Sequence, residues 1–546
     1  MRKSQIFLGA IAALSMGFYS CSSEDAPNAG GGTTFDGDRY VAVRIQSVGS
    51  NGTRAEEFEP GIENENNISA ENIRFYFFTA DKRPFVMSMT GVNGEVSNTN
   101  MVKPISITQD NLTDGTATSI NGVLVLGTEA EGYKGNEPKY VVCVANPTSN
   151  IPFEDFANQT MDKLLNIKAD APDNLTAESS FVMTSSSYVD GQHVYFTDLT
   201  GKIKESAAAA QGEPADIFIE RLASKVRVTG IKEWAVKEKV GNNLQDATFN
   251  IHVINNGVLS VEEDVKLNIE LTGWRLRNLA MNNYAIKNLK TEWISNPPYQ
   301  NWIAWNDATL HRSYWTSPSS QTENDIQLAG FDIENSAQFS LKNWDNTAPK
   351  NNLAYCYEND FQPASASDRE NHSTAIVVRG IVKNAATNDV INLCKWGGDY
   401  YTEDALKQVI INSYNENKND ADKKTADDVK FSKYTQSDAQ SNTWYAYIDL
   451  GDNGQVHNNY RFANISRWVN GQTSYVTNIK HATLPNDDAL YGVVRNHIYE
   501  YEFTNVVGLG VPGNDPKNPD PEKETYLAAR VHVLNWHLVR NSIVLE

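Results

Sequence analysis

The strongest constraint on this chain is a rhythm. From Asp38 onward, short stretches of alternating apolar and polar residues recur between clusters of Asn, Gly, Asp, Thr and Pro. They run over Ile73 to Phe78, Tyr140 to Val144, Val194 to Phe196, Ile217 to Ile219, Val226 to Val228, Phe249 to Val253, Ala375 to Val378, Tyr445 to Ile448 and Tyr499 to Phe503. In an extended chain successive side chains point to opposite faces, so period-two alternation buries one face and wets the other. Repeated between turn residues, it predicts antiparallel β-sandwiches. Helical periodicity is confined to Met161 to Asn166 and to Thr402 to Asn415, whose apolar positions fall at Leu406, Val409, Ile410 and Ile411. The expected fold class is all-β with few short helices.

A chain of 546 residues is long enough for two or more good-sized cores. Its texture changes near 285–315, where Trp293, Tyr299, Trp302, Trp305, Tyr314 and Trp315 crowd among Pro297, Pro298 and many Asn residues. A boundary at the start of this stretch divides the chain into an N-terminal sandwich over 55–290 and a C-terminal one over 291–546. The aromatic cluster reads either as an irregular interdomain core or as a ledge of flat apolar faces for a ligand. Pro512 to Glu524 is almost devoid of apolar residues and reads as an extended linker.

The beginning sets the compartment. Arg2 and Lys3 precede an apolar run from Ile6 to Phe18, which stops at Tyr19-Ser20-Cys21. This is the layout of a secretory signal over residues 1–20, too short for a permanent span, with Cys21 as the candidate lipid attachment site. The acidic, glycine-rich stretch that follows reads as a tether. The remaining cysteines, Cys143, Cys356 and Cys394, are odd in number and lack metal-type spacing, so packing rather than a disulfide framework must hold the fold. A formal charge of −21 makes nucleic acid and anionic membrane poor partners.

The sequence contains no His-Glu-x-x-His pair and no recognisable nucleophile setting, so catalytic residues, metal ligands and cofactors are all expected to be none. Gly508-Leu-Gly510-Val-Pro-Gly513 has a dinucleotide-binding spacing, but Pro512 and the polar linker behind it provide no helix start for a pyrophosphate, and the run reads as a turn. His497, beside Asn496 at the opening of a strand, reads as a structural hydrogen-bonding residue.

Two strands at opposite ends resemble each other. Tyr40-Val-Ala-Val-Arg44-Ile-Gln-Ser-Val48 and Tyr526-Leu-Ala-Ala-Arg530-Val-His-Val-Leu534 share Tyr, Ala and Arg and alternate in phase. Val41, Val43 and Ile45 face inward in the first, as Leu527, Ala529, Val531 and Val533 do in the second. Both can complement one open sheet edge, the first within its own subunit and the second in a neighbour. The alternative is that any two half-buried strands look alike. After Val533 the apolar phase switches to Trp536 and Leu538, which places a bulge near Val533, and Arg540-Asn541 breaks the run before a short strand containing Ile543 and Leu545. Between the first strand and the body lies Gly49-Ser-Asn-Gly-Thr-Arg54-Ala55, a polar tip with one basic residue where a trypsin-like protease can cut.

These features together resemble the major fimbrillins of type V pili from Bacteroidales over essentially the whole chain. The matching residues are Cys21, the strand-loop-Arg54-Ala55 arrangement, Glu220 to Val226, Arg312-Ser-Tyr-Trp315, Tyr357-Glu-Asn-Asp360, Tyr491 to Tyr499, the Gly508 to Gly513 turn and the ending built on Trp536. The Tyr491 to Tyr499 motif and the terminal Trp strand are the most specific. Phe18-Tyr19 departs from the usual lipoprotein pattern. The resemblance implies two transthyretin-like sandwiches in tandem and an outer-membrane lipoprotein precursor with a propeptide over 21–54. It further implies removal of the first strand by an Arg-specific protease, and assembly into a surface fimbria by C-terminal donor strands within 526–546. Implied partners are other copies of the chain, accessory tip and anchor subunits, and a host or bacterial surface receptor. Tip or anchor subunits are competing readings within the class. The rival class is a monomeric surface lipoprotein that binds glycan or protein.

Overall fold

The computed structural model describes residues 39–47, 70–287, 353–359 and 373–513 apart from short stretches within them, the pairs 326–327 and 342–343, and residues 526–535 and 539–540. The fold is all-β and sandwich-like, as the alternation predicts. The predicted stretches fall in strands Ile73–Phe78, Tyr140–Ala145, Ala215–Arg221, Ala223–Thr229, Phe249–Asn255, Ala375–Asn384, Trp444–Ile448 and His497–Val507. Val194 to Phe196 is the exception: Phe196 only leads into the strand Thr197–Asp198, and 194–195 lie outside the described residues.

A ten-stranded sheet carries the first core. The strand Arg39–Ser47 runs between Thr118–Leu126, antiparallel to it, and Ala215–Arg221, parallel to it. Beneath lie Phe75, Phe77, Leu124, Val142 and Ile217, with Met161 and Leu164 from the helix Met161–Leu165. Strand Ile73–Phe78 is buried along its whole length, so its position shows no polar face.

Sheet membership changes at Leu222, between Ala215–Arg221 and Ala223–Thr229. The latter opens a twelve-stranded sheet with Leu353–Tyr357 and His497–Val507. The change of sheet therefore precedes the boundary at 290/291 read from composition. Strand Leu267–Arg277 already packs Leu271, Trp274 and Leu276 into the second core. Composition reports where turn residues and aromatics crowd, whereas sheet membership is decided by pairing partners distant in sequence. Strand Glu233–Val240 closes this sandwich by pairing Glu233–Ala235 with Leu267–Arg277 and Val236–Lys237 with His497–Val507.

A third apolar cluster lies between a seven-stranded sheet and the helix Glu403–Asn415. Thr402 ends the preceding strand and caps the helix, its Oγ1 accepting the Ala405 N–H at 3.4 Å. Glu403 and Asp404 in the first turn suit the positive end of the helix dipole. Leu406, Ile410 and Ile411 are buried, the face that the period predicts. Among the described residues no helix is long and apolar enough to cross a membrane.

Candidate strand groove and the seam behind it

The first strand is a filler at the centre of a sheet. Its backbone pairs on one side from Arg39 opposite Leu126 to Gln46 opposite Ser119, and on the other from Val43 opposite Ala215 to Ser47 opposite Ile219. Val41 and Val43 are fully buried, as the alternation predicts, and Ala42 between them is buried too. Ile45 sits in register with Ile120 and Ile217. Burying each valine stabilises the fold by about 1.5–3 kcal/mol. Taking the strand out would leave two unpaired edges and an apolar slot. Arg39, at its start, reaches Glu205 at 3.1 Å.

The last strand is placed differently. Tyr526–Asn535 pairs antiparallel with His497–Val507 of its own chain, with Leu527, Ala529, Val531 and Val533 opposite Val506, Phe503, Tyr501 and Tyr499. The register is regular through Val533, Leu534 and Asn535, and the phase switch toward Trp536 falls outside the described residues; the partner strand carries an irregularity of its own between Phe503 and Asn505. Arg540, read as a strand breaker, belongs to the short strand Val539–Arg540, which folds back on His532 and Val533. Trp536, Leu538, Ile543 and Leu545 lie outside the described residues, as do Cys21, Arg54, Ala55 and the Trp293 to Trp315 cluster.

Where the two sheets meet lies a buried polar seam, which the sequence shows only as scattered motifs. Glu220 to Val226, Tyr357 to Asn359 and Tyr491 to Tyr499 meet there. The Arg495 guanidinium, fully buried, donates from Nε to Glu358 Oε2 at 2.8 Å and from its two terminal nitrogens to the carbonyls of Tyr284 at 2.8 Å and Ala285 at 3.3 Å. Asn359 and Val493 exchange backbone bonds at 2.9 and 3.0 Å. Ser224 Oγ donates to the Val494 carbonyl at 2.7 Å, and the Asn496 N–H donates to the Ala223 carbonyl at 2.7 Å. Asn496 adopts φ 61°, a left-handed conformation that asparagine tolerates, and its Oδ1 accepts from Arg221 Nη1 at 3.0 Å. Arg221 belongs to the first sheet and Ala223 to the second, so these bonds join the two where the chain passes between them.

His497 is fully buried and donates from Nδ1 to the Arg495 carbonyl at 2.8 Å, consistent with a structural role. The Tyr499 hydroxyl accepts the Val494 N–H at 2.7 Å and sits 2.8 Å from His481 Nδ1. Burial pushes this hydroxyl well above its usual range against the opposing pull of the Val494 N–H, so it stays neutral. Cys143, Cys356 and Cys394 are buried free thiols; burial pushes Cys356 up to about 12. The Gly508 to Gly513 run, read as a turn, bends at Gly508 and then forms the short strand Val511–Pro512 against Thr473–Ser474; Gly510 has φ 67°, and a Cβ there would meet Thr473 Oγ1 at 2.5 Å. Among the described residues no group of three or more His, Cys, Asp or Glu could hold a metal.

Residues 466–542, which contain the seam motif and the last strand, match the model of the family described as major fimbrial subunit protein type IV, fimbrillin, C-terminal. The match is confined to this C-terminal part of the chain. No curated protein matches the sequence. Among solved structures, the chain is similar to a putative cell adhesion protein from Parabacteroides distasonis at 9% identity and TM-score 0.39, over 91% of this chain and 100% of that one. It is similar to another from Bacteroides eggerthii at 10% identity and TM-score 0.34, over 94% and 98%. A third is the tip fimbrial protein Mfa3 from Porphyromonas gingivalis with C-terminal truncation, at 10% identity and TM-score 0.30, over 92% and 100%.

Proposed function

We propose that this chain is a structural subunit of a surface fimbria, exported as a lipoprotein on Cys21, cut between Arg54 and Ala55, and polymerised by strand exchange. The observation that carries the reading is the place of Arg39–Ser47. It is the earliest described segment of the chain, yet it fills the middle of a sheet with its valines fully buried. A strand so placed can leave without cutting any other strand, and its departure opens a slot for another extended segment.

The incoming segment is the 526–546 end of another copy. Tyr526, Ala528 and Arg530 repeat Tyr40, Ala42 and Arg44, so alternate apolar side chains arrive in the same phase. Among the described residues that end leaves one long ladder when it is released, the one with His497–Val507. The fimbrillin match over residues 466–542 supports this reading and a structural rather than catalytic role. Partners would be further copies, accessory tip and anchor subunits, an Arg-specific protease and a surface receptor. The 55–290 and 291–546 division stands in this proposal beside the change of sheet at Leu222, since Ala280, Ala285 and Ile286 still pack in the first core.

Filaments from the producing cell should begin at Ala55 on N-terminal sequencing, and Arg54→Ala should leave a lipidated monomer. Filaments that retained Cys21 or Ser22 would overturn the cleavage step. Trypsin treatment of the precursor separates the rival class: a ladder of polymers marks a pilin, a single shortened monomer marks a surface binding protein.

A further inference from the structure

Two arginines on one strand of the seven-stranded sheet have opposite fates. Arg461 and Arg467 are six residues apart on Arg461–Trp468, a spacing that would put both on one face of a regular strand. A bulge intervenes: Ala446 pairs with Phe462 and Trp444 with Ile465, and Asn464 takes φ 60°. Arg467 therefore turns inward. It lies 3.9 Å from the Phe431 ring and 4.6 Å from the Trp444 ring and donates to Glu403 Oε2 at 2.6 Å.

Arg461 turns outward, opposite Tyr447. Its guanidinium lies 3.9 Å from the ring centroid of Tyr445 and 4.7 Å from that of Tyr434. Its Nε is shut off from solvent without a hydrogen-bond partner, and no carboxylate pairs with it among the described residues. Pairing puts Ser432 opposite Tyr445 and Lys430 opposite Tyr447, so Lys430, Ser432, Tyr445, Tyr447 and Arg461 share this outer face. The rings of Tyr434 and Tyr445 are 5.1 Å apart and those of Tyr445 and Tyr447 6.3 Å apart. All three tyrosines are half-buried, and none of their hydroxyls has a hydrogen-bond partner among the described residues.

In a chain of formal charge −21, a guanidinium stacked on two rings and paired with no acid is an anion site awaiting its anion. Tyrosine hydroxyls without a partner among the described residues, on partly buried rings of one sheet face, suit the hydroxyls and C–H faces of a sugar ring. We propose that this ledge binds a carboxylated saccharide, its carboxylate on Arg461 and its rings on Tyr434, Tyr445 and Tyr447. The ligating groups stand on the sheet face rather than on a backbone edge, which favours a saccharide over a peptide strand.

The test is calorimetric titration of the purified protein with tetragalacturonate, its neutral methyl ester, and an acidic peptide of equal charge. Tetragalacturonate should bind at least about tenfold more tightly than the ester or the peptide. Arg461→Gln and Tyr445→Ala should each weaken it by at least about tenfold, while Arg461→Lys and Tyr445→Phe retain part of the binding and the melting temperature of the parent. Absence of binding, equal binding of ester or peptide, or indifference to all four substitutions would each overturn the proposal.

Discussion

The first and last strands of this protein look alike in sequence and are held in different ways. Arg39–Ser47 has a neighbour on each side and fully buried valines, whereas Tyr526–Asn535 has one long neighbour and a two-residue hairpin on its outer side. Alternation can therefore state that a segment is half-buried without stating whether it is a keystone or an edge. In the proposed strand exchange, the difference sets the direction. A central strand leaves a slot with two hungry edges, and an edge strand can be lifted off at the cost of one ladder.

The comparison can be broken most sharply at Val43. Val43→Asp buries a carboxylate between two strands and should destabilise the first core by at least about 4 kcal/mol. Urea unfolding that showed a loss under about 1 kcal/mol would mean that the first strand is not part of the core.

Deleting 526–546 should have a smaller effect. The chain should remain a folded monomer, with its melting point lowered by no more than about 5 °C, and it should fail to form filaments. Loss of cooperative melting would place the last strand in the core of its own chain and remove it as a donor.

The smallest effect is expected at the terminal hairpin. Val539→Pro interrupts the pairing of Val539–Arg540 with His532–Val533 and should cost no more than about 1 kcal/mol in chemical denaturation. A loss as large as that of Val43→Asp would erase the distinction between the two ends.

Much of the local structure was legible because it rests on near neighbours. The alternation of Phe249, Ile251 and Val253 fixed a strand with those three buried, and Leu406, Ile410 and Ile411 fixed a helix face. The cap at Thr402, whose hydroxyl replaces a missing backbone acceptor, came from the structure. The seam was legible only as motifs. Nothing in the order of residues says that Arg495 meets Glu358, 137 positions away, or that Arg495 also donates to the carbonyls of Tyr284 and Ala285.

The sequence by itself determined the all-β class and the structural, hydrogen-bonded setting of His497. Each follows from side-chain periodicity or from the conformational limits of a few adjacent residues. Only the tertiary structure decided that the sheets change at Leu222, that the first strand lies at a centre and the last at an edge, and that one bulge at Asn464 sends Arg467 to a carboxylate and Arg461 to the surface. These outcomes depend on which distant strands pair and in what register, and a shift of one residue exchanges the two faces of a strand without altering its pattern.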